Sequence, residues 1–103
     1  SGIQPSNLLL WDSVTDPTLK SVSTYLDALS PEDLAKLGEV NVGNPNHLLA
    51  YTSDNVQIRI GDTTQLKEKP ALTEQMLKDI DTKHITAQYI DLNLGAPFIK
   101  EIQ

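Results

Sequence analysis

Apolar residues recur along this chain in two periods, and the change between them divides it into elements. Leu19, Val22, Leu26 and Leu29 stand at helical spacing behind Asp16-Pro17, an N-cap residue followed by a proline at the first helical position. That spacing predicts a helix with one buried stripe. Ser30-Pro31-Glu32-Asp33 is a second start of the same kind, with Leu34 and Leu37 facing inward and Gly38 as its stop. After Gly38 the period shortens: Val40 and Val42 alternate with polar residues, and Asn44-Pro45-Asn46 reads as a turn. Residues 47–52 form a strand candidate, and Ser53-Asp54-Asn55 supplies a hairpin turn. The cleanest alternation is residues 56–60. It puts Val56, Ile58 and Ile60 on one face and Gln57 and Arg59 on the other, and Gly61-Asp62 closes it.

Helical spacing returns with Leu72, Met76, Leu77 and Ile80, with Leu66 leading in. Pro70 is tolerated only in a first turn, so this helix is expected to begin near residues 67–69. Residues 82–87 read as its exit loop. Two extended runs end the chain, residues 89–93 and 97–102, around a Leu94-Gly95-Ala96 corner. Residues 3–14 are ambiguous: Leu8-Leu9-Leu10-Trp11 suits a buried strand or a docked loop, with Trp11 expected in the core. The order is helix, two or three strands, helix, two strands. It predicts an α+β fold: a mostly antiparallel sheet with helices packed on one face, in a single domain over residues 1–103.

Composition narrows the function classes. A formal charge of −6 and a pI near 4.6, with Lys and Arg scattered, argue against a nucleic-acid binder and against an anionic membrane surface. The chain contains no cysteine, which removes thiol catalysis, disulfides and thiolate metal sites together. No run approaches the ~20 apolar residues of a membrane span. The opening Ser1-Gly2 reads as a vector remnant, and Ile3 onwards as an internal fragment.

Candidate chemistry is thin. His47 and His84 are the only histidines, and neither has an Asp or Glu at metal-ligand spacing, so both read as surface residues. The glycines are single and sit at turns, which excludes a phosphate-binding loop. Asp79 and Asp81 are two apart on a helix and do not face each other. Ser13 and Ser53 lack a base at a recognisable spacing. Asp91 stands in a strand on the face opposite Ile90 and Leu92 and is expected to pair with a neighbouring Lys or Arg. With no nucleophile–base pair and no cofactor motif, a binding module outranks an enzyme.

The final run raises a separate question, because a chain that ends on a strand has an edge to satisfy. Edge strands carry free N–H and C=O groups, usually blunted by Pro, charges or a cover. Residues 97–102 have Pro97, Lys100 and Glu101. As an outermost strand they would set Phe98, Lys100 and Ile102 on one side and Ile99 and Glu101 on the other. A partner segment could then add as a further strand, with main-chain bonds for affinity and side-chain pockets for selectivity. The alternatives are that this strand pairs internally on both sides, or simply ends the sheet.

Three stretches together carry a resemblance: "VQIRIGD" at 56–62, "LKEKPALTEQMLKDI" at 66–80 and "YIDLN" at 89–93. In order and spacing they resemble the C-terminal half of the extracytoplasmic β domain of the FtsQ/DivIB cell-division family. That family shows a strand ending in Leu-Gly, a helix opening on a Lys-plus-apolar pair, and a Tyr-Ile/Val-Asp-Leu-Arg strand. Ile60-Gly61, Lys69 and Tyr89-Ile90-Asp91-Leu92 match these; Pro70 replaces the apolar neighbour of the Lys, and Asn93 replaces the Arg. The resemblance is closest over residues 56–100 and extends over 17–55, where a helix and a strand meander are expected.

The resemblance implies a bitopic membrane protein whose cytoplasmic tail, membrane helix and POTRA domain precede this fragment. The domain would lie on the extracytoplasmic side, without enzymatic activity and without cofactor or metal. It would act as a divisome scaffold for FtsB/DivIC-type and FtsL-type partners, and bind no nucleic acid. In the family the last strand of the β domain receives a partner strand. The positions here that match that surface are Leu94, Phe98, Ile99, Lys100 and Ile102, with Gln57 and Arg59 as further candidates. The contrasting readings are a small exported ligand-binding or enzyme domain with a pocket between sheet and helices, and a structural spacer.

Overall fold

The computed structural model describes residues 2–3 and 16–102. The apolar run at Leu8, the expected core position of Trp11, and Ser13 lie outside the described residues. Among those described, three helices pack against a six-stranded sheet whose strand order follows the sequence, β1 to β6. The strands are β1 (Gly2–Ile3), β2 (Leu37–Asn41), β3 (Leu48–Thr52), β4 (Gln57–Gly61), β5 (Ala87–Asp91) and β6 (Phe98–Glu101). The helices are α1 (Pro17–Asp27), α2 (Pro31–Lys36) and α3 (Lys69–Thr82). All neighbouring strands pair antiparallel except β4 and β5, which run parallel. Parallel neighbours need a long crossover, and α3 provides it.

The helix starts follow their sequence signals. Asp16 Oδ1 accepts the Thr18 and Leu19 N–H groups at 2.9 and 3.2 Å, satisfying donors that the first turn leaves unpaired. Ser30 Oγ accepts the Asp33 N–H at 3.1 Å and opens α2. Pro70 falls in the first turn of α3, where a missing N–H costs no helical bond. One boundary differs from expectation. Gly38 does not stop α2; Leu37 already adopts extended backbone (φ −83°, ψ 126°), and Gly38 lies inside β2. The β2–β3 register shifts between Leu37 and Glu39, so the irregular glycine position is absorbed as a bulge. The meander β2–β3–β4 is as expected. β5 begins at Ala87, two residues before the expected start, with Leu92 buried just past its end.

The core lies between the helices and one face of the sheet. Val22, Tyr25 and Leu26 of α1 and Met76 and Leu77 of α3 pack on Val40, Leu48, Ala50, Ile58, Ile60 and Ile90. Burying each large aliphatic side chain stabilises by about 1.5–3 kcal/mol. Leu72 and Ile80, expected in the α3 stripe, are half-buried at its border, and fully buried Thr73 takes the central place.

A short polar chain runs through this core. Thr73 Oγ1 donates to the Lys69 carbonyl at 2.7 Å, and lies 2.6 Å from the Tyr25 hydroxyl, which donates to it in turn. Burial pushes the Tyr25 phenol well above its ordinary pKa, with the Thr73 hydrogen bond opposing. Lys69 is itself 5% exposed, and its Nζ donates to the Ile60 carbonyl at 2.5 Å. That bond ties the start of α3 to the end of β4. Gly61 meets the need for close approach there: its φ is +89°, and an added Cβ would lie 3.3 Å from Lys69 Nζ. Glu74 Oε1 accepts the Ser30 N–H at 2.6 Å and joins α3 to the α1–α2 corner.

Candidate partner-binding edge

β6 is the rim of the sheet: among the described residues it pairs only with β5. Phe98 faces Asp91, Ile99 faces Ile90, Lys100 faces Tyr89 and Glu101 faces Ala87, with a register shift between Ala87 and Tyr89. Just past the strand, the Ile102 N–H donates to the Thr86 carbonyl at 2.8 Å. Main-chain groups of successive strand residues point to opposite sides. Those of Phe98 and Lys100 therefore turn towards β5 with those of Ile102, and those of Ile99 and Glu101 turn away from the sheet. Pro97 also falls at an outward position, where it has no N–H to leave unpaired. The corner before it is built from side-chain turns: Asp91 Oδ1 accepts the Asn93 N–H at 2.9 Å and Asn93 Oδ1 accepts the Gly95 N–H at 3.0 Å. The expected pairing of Asp91 with a cation is thus replaced by a turn cap. The Asp91 carboxylate lies two residues from the main-chain donor it serves, a spacing that favours this local bond.

Side chains on β6 divide as their alternation requires. Phe98 is 44% exposed and Ile102 57%, and they are the large hydrophobic residues exposed among those described. Lys100 is exposed beside them on the open face. Ile99 points the other way and packs against the helix-side core. Of the candidate residues, Ile99 therefore presents main-chain groups rather than a side chain.

The open face carries a connected row. Tyr51 Oη accepts from Gln57 Nε2 at 3.0 Å, and Gln57 Oε1 accepts from Arg59 Nε at 2.7 Å. The Arg59 guanidinium lies 3.5 Å from the centre of the Tyr89 ring. Tyr89 in turn meets Phe98 edge to face, with centroids 5.7 Å apart and planes at 72°. Gln57 and Arg59, named from sequence, are thus joined to Phe98 through Tyr89. Sequence reasoning passed over Tyr89 and Tyr51. The signal was present for Tyr89, which stands two residues before Asp91 and so shares its face.

Leu94 is half-buried and lines an open cavity of about 680 Å³ at the ends of β3 and β4, with Arg59, Asp91, Asp62 and Lys69 on its walls. The Thr64 hydroxyl and main-chain N–H donate to Asp62 and hold its carboxyl below the usual carboxylate range, with Lys69 a smaller influence. A second groove, of about 520 Å³, runs between α1 and residues 63–70; among the described residues, no strand residue lines it. His47 and His84 are both exposed. Ser53 Oγ donates to the Lys36 carbonyl at 3.2 Å, and Asp79 accepts from Gln75 Nε2 at 3.0 Å. Among the described residues no cluster of three metal-ligating side chains occurs, and no helix is long and apolar enough to cross a membrane.

The family described as "Cell division protein FtsQ/DivIB, C-terminal" matches residues 5–93 of this chain. The match spans α1 through β5 and stops before β6. Neither the curated proteins nor the solved structures contain a match.

Proposed function

The chain belongs to the FtsQ/DivIB C-terminal family of cell-division proteins, and from that membership we propose a non-catalytic extracytoplasmic scaffold that captures a divisome partner by strand addition at β6. The partners are proteins of the FtsB/DivIC and FtsL types. The native protein is a single-pass membrane protein, with its anchor and POTRA domain N-terminal to this domain. The observation that carries the reading is the rim position of β6, with the main-chain groups of Ile99 and Glu101 turned outward. An added strand would bond to those groups and lay its side chains beside Phe98, Lys100 and Ile102 on the open face. The row through Tyr89, Arg59 and Gln57 would extend that surface across β5 and β4, with Leu94 at its end.

The test uses Glu101→Pro. This change removes one outward N–H and leaves the inward bonds of β6 in place. Affinity for the extracytoplasmic segment of an FtsB/DivIC-type partner is expected to fall about tenfold or more, ~1.4 kcal/mol, while the unfolding midpoint stays near that of the parent. Phe98→Glu should weaken binding in the same way, because it puts a charge in the contact. Unchanged binding in Glu101→Pro would sink strand addition. Unfolding of Phe98→Glu would make Phe98 a core residue and remove the side-chain part of the surface.

A further inference from the structure

We infer that Arg59 is a positioning residue for the docking edge: its guanidinium holds the Tyr89 ring, and that ring holds Phe98 in the place where an added strand meets it. This role rests on β6 being the docking strand. Register alone does not produce the contact. Arg59 stands directly opposite Asp91, and Asp91 directly opposite Phe98, so the three lie on one line across the sheet. An arginine facing a carboxylate is the ordinary start of an ion pair, yet among the described residues Arg59 forms none. Both groups are drawn elsewhere. The Asp91 carboxylate accepts the Asn93 N–H at 2.9 Å. Arg59 Nε donates to Gln57 Oε1 at 2.7 Å, and Gln57 Nε2 donates in turn to the Tyr51 hydroxyl at 3.0 Å. That clamp draws the guanidinium back along β4 to the level of Gln57, whose opposite residue is Tyr89. The guanidinium comes to rest 3.5 Å from the centre of the Tyr89 ring.

Phe98 leaves the same line from the other side. It leans diagonally onto Tyr89, with centroids 5.7 Å apart and planes at 72°, a reach that aromatic side chains have on a sheet face. Tyr89 is thus caught between a cation and a second ring. Phe98 is 44% exposed, and an exposed aromatic side chain without such a neighbour samples several rotamers. A side chain ordered only when the partner arrives costs affinity, and one ordered beforehand does not. The guanidinium does not reach the partner itself. It rests over β5, and a strand added at β6 lies two strand spacings further out, about 10 Å. Arg59 therefore acts through Tyr89 and Phe98.

The free protein tests the positioning first. Arg59→Met keeps an unbranched stem and loses both the cation and the bond to Gln57. In this variant the Phe98 ring signals should shift in the NMR spectrum, and its side-chain couplings should move towards rotamer averages; unchanged Phe98 signals overturn the inference. Affinity for the partner segment used with Glu101→Pro should then fall about three- to tenfold in Arg59→Met, while unfolding stays cooperative. Unchanged affinity would mean that the order of Phe98 does not matter to docking, and overturns the role. Tyr89→Phe keeps the ring and should bind like the parent. Phe98→Ala, at an exposed position, supplies the decisive background: with no ring left to place, adding Arg59→Met should cost nothing further. A full further loss there would mean that Arg59 touches the partner directly, and positioning falls. Unchanged binding in Glu101→Pro instead removes the docking strand itself, while the Phe98 signals of the free protein still decide whether Arg59 orders the ring.

Discussion

The two faces of β4 and β5 are built from alternate residues of the same short strands, yet they differ in almost every physical respect. On the helix side, Ile58, Ile60 and Ile90 are essentially inaccessible to water and belong to the hydrophobic core. On the open side, Gln57, Arg59 and Tyr89 form a row joined by hydrogen bonds, a stacked cation and an edge-on ring. The first face holds the fold together through area removed from water. The second gains little from burial, and its side chains are instead held in fixed positions with polar groups still available. A surface ordered before a partner arrives has less entropy to lose on binding. That difference separates what this protein needs to fold from what it presents.

The largest expected effect contrasts the faces directly. Ile90→Ala removes a fully buried side chain of β5 and should destabilise by about 2–5 kcal/mol, transfer and cavity terms together. Arg59→Ala, one strand away on the other face, removes an exposed cation–ring contact and should cost only about 0.5–1 kcal/mol. Urea unfolding of both variants measures the difference. Equal losses would mean that the open row holds the fold as much as the core does, and the division of labour between faces would be lost.

A middle effect lies inside the closed face, at its polar chain. Thr73→Val keeps the shape but removes the group that receives the Tyr25 hydroxyl. A buried hydroxyl left unpaired costs about 1–3 kcal/mol. Tyr25→Phe removes the donor and leaves Thr73 still bonded to the Lys69 carbonyl, so its loss should be nearer ~1 kcal/mol. The double variant, with both polar groups gone, should be more stable than Thr73→Val alone. Additive losses would show that the two hydroxyls are not coupled.

How far each face could be read from sequence follows the same line. Period-2 alternation at residues 56–60 separated Ile58 and Ile60 from Gln57 and Arg59, because burial on one side of a pleat leaves a pattern. The helix starts at Asp16-Pro17 and Ser30-Pro31 were equally legible, since capping is local chemistry. Thr73 and Lys69 were not: a threonine and a lysine carry no apolar signal, and their burial goes with tertiary contacts, to Tyr25 48 positions away and to Ile60 across the β4–α3 connection. Gly38 misled because glycine marks helix ends and bulges alike, and only the pairing of β2 with β3 decides between them. Neither the rim position of β6 nor the β4–β5 pairing was fixed by periodicity. Strand order is set by which surfaces α3 covers, a tertiary fact.

The smallest effect falls at Asp62, where the open and closed faces meet at the end of β4. Its carboxyl is held below the usual range, first by the Thr64 hydroxyl and then by the Thr64 main-chain N–H. A depressed folded-state pKa means that the native state favours the charged form. The associated stability is present above the unfolded value of about 3.9 and is lost as pH falls through the folded value. Asp62 is fully exposed, so this contribution is slight and the solvent screens it. An NMR titration of its side-chain carboxyl should give a midpoint below that of an ordinary aspartate. Thr64→Val should move the midpoint up, but not all the way, because the main-chain bond remains. Neither change should alter the Arg59–Tyr89–Phe98 row. A shift of the Tyr89 ring signals alongside the Asp62 titration would show instead that the end of β4 and the open face respond as one unit.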